Sequence, residues 1–244
     1  MDGFFYECRL LESVDVSKLN TMNLKSTNGM FMNCVGLKSI NFKNFNTNKV
    51  TNMKRMFAGC HFLTSLDLSS FKTENLLNME YMFSNCLYLT SLIISSFNTE
   101  NAKYMNYTFA NCNKLTSLDL SNFNTKSVLK MEGMFFGCEN LLSIDLTSFD
   151  VKNVINMENM FYNCQQLTSL NLSNFNISKV ENMNGMFLNC MQLNYLDISS
   201  FDKIPYENTK IYNNENKSGT IKVKEDFWKL IQLQFYYWTP IIVN

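Results

Sequence analysis

Broken into rows of 26 residues, the chain repeats one pattern of apolar and polar positions. In a representative row Val50, Met53, Met56, Phe57 and Cys60 recur at intervals of three and four, the spacing of one face of a helix. Leu63, Leu66 and Leu68 follow around Ser65 and Asp67, and such alternation reads as a short strand. Phe71 closes the row. Thr73 stands two residues further on, as do Thr47, Thr99 and Thr125 in neighbouring rows, where the strand must turn and a hydroxyl side chain suits the turn. The pattern predicts a strand on one side of the molecule and a short α-helical or 3₁₀ segment that returns the chain to the next strand.

The cysteines mark the period. Cys8, Cys34, Cys60, Cys86, Cys112, Cys138, Cys164 and Cys190 are each 26 residues apart, without an insertion. Phe stands three residues before every one of them, Leu three residues after every one, and Met four before all but two. A period in the range of about 20–50 residues signifies a solenoid, in which each unit buries its apolar face only against its neighbours. Length then sets the number of coils rather than the number of domains. Residues 1–203 hold eight copies, the first truncated at its start because Met1 occupies the column of Met53. That start leaves Phe4, Phe5, Cys8 and Leu11 without cover, so end-to-end self-association through the amino-terminal coil is one expectation.

After Phe201 the period fails. Residues 207–219 read as a polar loop, 220–223 as a strand, 225–237 as a helix that Pro240 keeps from continuing, and 241–243 as a last strand. Residues 204–244 are accordingly read as a carboxyl-terminal α/β cap, since a solenoid must cover its final apolar cross-section. A separate aromatic carbohydrate-binding module is the alternative for this segment.

Leu63-x-x-Leu66-x-Leu68 is the core of the leucine-rich repeat, with Phe71 where Asn is customary. The pattern predicts a right-handed leucine-rich-repeat solenoid with its parallel sheet on the concave face. The fuller unit, NMEYMFSNCLYLTSLIISSFNTENA, resembles the repeats of the BspA-like bacterial surface proteins, which also occur in mycoplasma lipoproteins. The resemblance spans residues 1–203. It implies display on a cell surface, adhesion to host or neighbouring-cell proteins, and a non-enzymatic role. An intracellular protein-recognition module and a structural stalk that spaces another domain are the competing readings.

Composition narrows the chemistry. Twenty-one basic residues balance 21 acidic ones, so the electrostatic footing for nucleic acid or an anionic membrane surface is missing. No run of about 18 apolar residues is present for direct membrane insertion, and MDGFFYECRL has no basic segment followed by an apolar core, so no secretory signal is read. The single histidine, His61, excludes any multi-histidine metal site. No nucleophile elbow, phosphate loop or zinc-protease motif occurs, and the expectation is no catalytic residue, no metal and no cofactor. Equivalent cysteines stacked about 4.8 Å apart present parallel Cβ vectors, whereas a disulfide needs Cβ atoms about 3.8 Å apart and facing one another. They are read as a column of buried thiols. The glycosylation triplets at Asn106, Asn171, Asn176 and Asn216 are given no role in a chain with 36 asparagines.

Candidate partner-binding residues lie where the repeat leaves the surface free. Asp67, Asp119 and Asp145 belong to an outward row along the strands, either a solvated polar face or a negative strip for a basic segment or loosely held cations. Ile93 breaks that row with an apolar side chain. Phe62 and Tyr88, in the variable turn, are expected to share one rim with Ile93, and Tyr81 and Tyr107 to form a second stacked pair on the returning side. The partner expected is a protein.

Overall fold

The computed structural model describes residues 1–205, 209–213 and 218–243. Within it the strands fall on the alternating segments. β1 (Ser13–Asp15), β2 (Ser39–Asn41), β3 (Ser65–Asp67), β4 (Ser91–Ile93), β5 (Ser169–Asn171) and β6 (Tyr195–Asp197) each centre on an aliphatic residue of the core side. Paired strands run parallel and one period apart, Ser13 opposite Ser39 and Ser65 opposite Ser91. β7 (Gly219–Lys224), α1 (Glu225–Ile231) and β8 (Trp238–Val243) follow, and β7 and β8 add two parallel strands to the β5–β6 sheet. The fold is an α/β repeat solenoid.

The return segments differ from the expected helix or 3₁₀ piece: they are consecutive turns. The N–H groups of Thr27, Gly29, Phe31 and Asn33 donate to the carbonyls of Asn52, Lys54, Met56 and Ala58 in the next coil at 2.7–2.9 Å. The intervening N–H groups of Met30, Met32 and Cys34 close turns onto carbonyls three residues back in their own coil. This alternation places two residues per coil in the left-handed region, five and one before each cysteine, as at Gly29 (φ 59°) and Asn33 (φ 60°). Glycine and asparagine recur there because other side chains are strained at positive φ. A helix loses to this arrangement for a reason of size. Packed helices need 8–10 Å between axes, whereas successive strands advance about 4.8 Å per coil, so flat turns keep both sides of the coil at one pitch. Helix and turns share the three-and-four spacing because each turn also sends one side chain inward.

Strand pairing is intermittent. β2 does not pair with β3, and β4 and β5 end their sheets. The turns, by contrast, carry an unbroken series of parallel bridges through Ser26, Asn52, Asn78, Tyr104, Lys130, Asn156 and Asn182. The continuous backbone seam therefore runs along the returning side.

Between the two sides lie the repeated columns. Phe5, Phe31, Phe57, Phe83, Phe109, Phe135, Phe161 and Phe187 stack in order with centroids 5.2–6.0 Å apart and ring planes within 14°. Seven of the cysteines are buried, and each donates its thiol proton to the carbonyl of the Phe one coil earlier, Sγ to O 3.0–3.2 Å. Cys8, in the first coil, is exposed; no disulfide joins any of the eight. The threonine column bonds the coils on the far side of the strand: Thr47, Thr73, Thr99 and Thr125 each donate to a carbonyl of the next coil at 2.9–3.0 Å and accept the N–H of that same residue at 2.7–2.9 Å.

At the carboxyl-terminal end β7 pairs with β6, and residues 209–213 continue the turn seam, the N–H groups of Gly185 and Phe187 donating to the carbonyls of Lys210 and Ile211. Helix α1 is shorter than the expected 225–237, ending at Ile231. Just beyond it Gln234 turns its amide onto the seam, Oε1 accepting the Ile211 and Tyr212 N–H groups and Nε2 donating to the Thr209 carbonyl. A side-chain amide here stands in for the peptide groups of a further coil. Of the expected 207–219 loop, residues 207, 208 and 214–217, with Asn216, lie outside the described residues.

The thiol column has a pH signature. Burial pushes the thiols of Cys86, Cys138 and Cys190 up to about 12, against an ordinary 9.0. The folded chain thus keeps protons that the unfolded chain releases, so this contribution is whole below about pH 9 and is lost as pH rises towards about 12. Thermal unfolding across that window should show a fall in Tm that becomes shallower when Cys86 and Cys138 are replaced by Ala, and Cys8 should outpace the other thiols in native titration. The left-handed positions supply a second test. Gly137 has φ 68°, and a Cβ there would press on Asn111. Gly137→Val should cost about 2 kcal/mol or more in denaturant unfolding, while Asn163→Gly stays within about 0.5 kcal/mol.

Candidate functional site

The outward row, which lies on strands except at Asp119 and Asp145, where the fifth and sixth coils form none of the expected strands, is built of turn caps. Asp15, Asn41, Asp67, Asp119, Asp145, Asn171 and Asp197 each accept the backbone N–H two residues ahead on a side-chain oxygen, at 2.8–3.0 Å. Short acceptor side chains favour this because the bond closes the turn that ends the strand. The Ser69, Ser121 and Thr147 N–H groups hold the carboxyls of Asp67, Asp119 and Asp145 below the usual carboxylate range. Asn fills the same office as Asp, so the geometry does not require the charge. The last member of the row, Asp197, is buried, and Lys222 of β7 covers it with an ion pair of 3.1 Å. Among the described residues no three metal-ligating side chains gather to hold a cation.

Ile93 cannot accept a hydrogen bond. It gives up the cap that the row otherwise provides, and its side chain is 44% exposed at the end of β4. Phe62 and Tyr88 stand in the turns that lead into β3 and β4, stacked at 5.5 Å with ring planes 5° apart, and are 50% and 47% exposed. Their stacking follows from the backbone: the N–H of each of these residues donates to the preceding coil, Phe62 to Val35 and Tyr88 to His61, which holds the two turns at one pitch. Ile93 lies five residues beyond Tyr88 along an extended segment, roughly 16 Å away at about 3.3 Å per residue, so the ring pair and Ile93 mark opposite ends of the strand.

On the returning side Tyr81 and Tyr107 stack at 5.0 Å, with the Arg55 guanidinium 5.1 Å from the Tyr81 ring centre. Both tyrosines have positive φ and are half-buried. Tyr107 donates its hydroxyl proton to Glu132 at 2.7 Å and lies over Gly133, where no Cβ is present to displace the ring. Burial and then the Glu132 carboxylate raise the Tyr107 phenol, which stays protonated. The column continues through residues that the sequence reading passed over: Phe136 lies 6.3 Å from Tyr107 and stacks on Tyr162 at 4.8 Å. Their signal is present in the chain, two columns at five and two residues before the cysteine.

The coil geometry, with parallel strands on one side, a stacked apolar interior and recurrent turns on the other, defines a leucine-rich-repeat-like solenoid. The chain belongs to the family described as "Mycoplasma protein of unknown function, DUF285", whose model matches residues 1–118, 63–166 and 131–218. No curated protein matches it. Among solved structures, a crystal structure of a TLR13–ssRNA13 complex aligns over the whole of this chain at 16% identity with a TM-score of 0.32. The alignment takes in 45% of that chain, so the present chain spans less than half the length of that protein.

The cap row sets up a direct comparison. Asp119→Asn should leave Tm unchanged and Asp119→Ala should lower it. Ile93→Asp should raise stability by about 0.5–1 kcal/mol in denaturant unfolding, since it restores the hydrogen bond that its neighbours make.

Proposed function

We propose that this chain is a non-enzymatic, protein-binding solenoid that works at a cell surface in adhesion to host or neighbouring-cell proteins. The observation that carries the reading is the Phe62–Tyr88 pair, two half-exposed rings stacked beside outward strand positions that are Ser, Thr, Asp and Asn apart from Ile93. Rigid aromatic anchors are the residues on which protein interfaces concentrate their binding energy. The solenoid presents them on a backbone already ordered by folding, so little conformational freedom remains to be lost on association. Ile93 adds to the reading, because an apolar residue that forgoes a structural hydrogen bond is not explained by the coil's own packing. Membership of a mycoplasma family and the resemblance of the repeat to BspA-like surface proteins support adhesion as the role.

The purified chain, fluorescently labelled, should bind intact animal cells, and protease treatment of those cells should abolish the signal. Tyr88→Ala combined with Ile93→Asp should weaken binding by about tenfold or more, while Asp119→Asn with Asp145→Asn should not. Equal binding by the first pair would remove the aromatic surface from the mechanism. Protease shaving of intact cells that express the full gene should release peptides of this chain; complete protection would overturn surface display.

A further inference from the structure

We propose that the cleft between the second and third coils is a second binding site, and that it takes an extended acidic peptide segment. The cleft has a volume of about 660 Å³ and is lined by Ile40, Phe42, Lys43 and Asn44 on one side and Asp67 and Lys72 among those on the other. It lies where β2 fails to pair with β3.

Four departures from the repeat converge on it. Eight residues after the cysteine the other coils carry Val, Leu or Ile, and only the second carries an aromatic residue, Phe42. Its ring packs edge-on against Phe31, Phe45, Phe57 and Phe71 at 5.0–6.1 Å, filling the space with more volume than an aliphatic residue brings. The following residue is Lys43, where the other coils have Ser or Thr. Asn44 then adopts φ 63°, a left-handed conformation that its column shows nowhere else among the described residues. Across the cleft Lys72 occupies a column that is otherwise Asn or Asp. The stacking of the coils calls for none of these.

The chemistry of the walls selects the ligand. Lys43 and Lys72 are exposed, and among the described residues neither makes an ion pair. The one carboxylate of the lining, Asp67, has an oxygen already engaged by the Ser69 N–H. Two ammonium groups against one partly occupied carboxylate favour an anion. The backbone favours a peptide. In bonded coils the residue after the strand donates its N–H across the ladder, Val16 to Asn41 at 3.2 Å and Leu68 to Ile93 at 3.0 Å. The equivalent bond from Phe42 to Asp67 is not made, and both residues line the cleft; the bonds from Ile94, Leu120 and Leu146 are missing as well, but only here do the bordering columns carry two lysines. An extended chain offers the complementary carbonyl and N–H, and its acidic side chains reach the lysines. This site and the Phe62–Tyr88 surface are separate, and either can fail without the other.

The test uses the full chain and an array of labelled hexapeptides in which Glu alternates with Ala, Val, Leu, Ile, Phe or Tyr, read by fluorescence anisotropy. Lys43→Ser with Lys72→Asn gives the cleft the residues that other coils carry at these places, so the double variant keeps the fold. At least one acidic peptide should bind the unaltered chain, its Gln counterpart should not, and the double variant should weaken binding by about tenfold or more. Absence of binding by every acidic peptide, or equal binding by the double variant, overturns the proposal. Lysine-dependent binding of hyaluronate oligosaccharides in place of peptides overturns the peptide assignment in favour of an anionic glycan.

Discussion

Everything in this fold depends on one constraint: the backbone of each coil is hydrogen-bonded to the next on the returning side, and at intervals along the strands as well. An unbroken turn-side ladder at strand pitch leaves no room for a helix, and left-handed residues let the turns alternate their N–H groups between their own coil and the neighbour. Once the pitch is fixed, the interior follows. Phe rings one coil apart are near enough to stack throughout, and a cysteine suits its column because its sulfur is small, apolar and still able to donate to a carbonyl that the preceding coil presents. A larger residue would collide with the neighbouring column, and a residue without a donor would leave that carbonyl with one partner fewer.

Much of this was legible in the chain itself. The 26-residue period, the positions of the strands, the stacked Phe and the buried thiols follow from columns that hardly vary, because a repeated environment selects the same residue each time. The returning side was misread because spacing alone does not distinguish a helix from successive turns when both send one residue in three or four inward. The decisive signal was local: the Gly and Asn at five and one before the cysteine are poor choices for a helix interior and good ones for positive φ. The aspartate row could be read either as a solvated polar face or as a negative strip, and the hydrogen bonds add that Asp and Asn cap the turn in the same way. The ring pair of Phe62 and Tyr88 could be found in the sequence, since identical columns in adjacent coils must be neighbours. The gap beside Phe42 could not, because columns that hardly vary do not tell which neighbouring strands pair.

A repeat so uniform makes its exceptions informative. Core columns admit few substitutions, and the polar caps are Asp or Asn save at Ile93, so variation falls on the outward positions of the returning side and, on the strand side, on two zones: the turn before each strand and the few residues after it. Those two zones lie at opposite ends of the strands. One carries the aromatic pair, the other the cleft with its two lysines.

The unequal continuity of the two ladders also has a mechanical meaning. The seam on the turn side is bridged from the second coil to the eighth, whereas the strand side is interrupted, as between β2 and β3. Bending that spreads the strands breaks few bonds where the sheet is already open, while bending in the opposite sense must pull apart several backbone bonds per coil. By its bonding the molecule is a beam with a stiff spine and a compliant face, and a bending load is taken up first at the gaps between the strands.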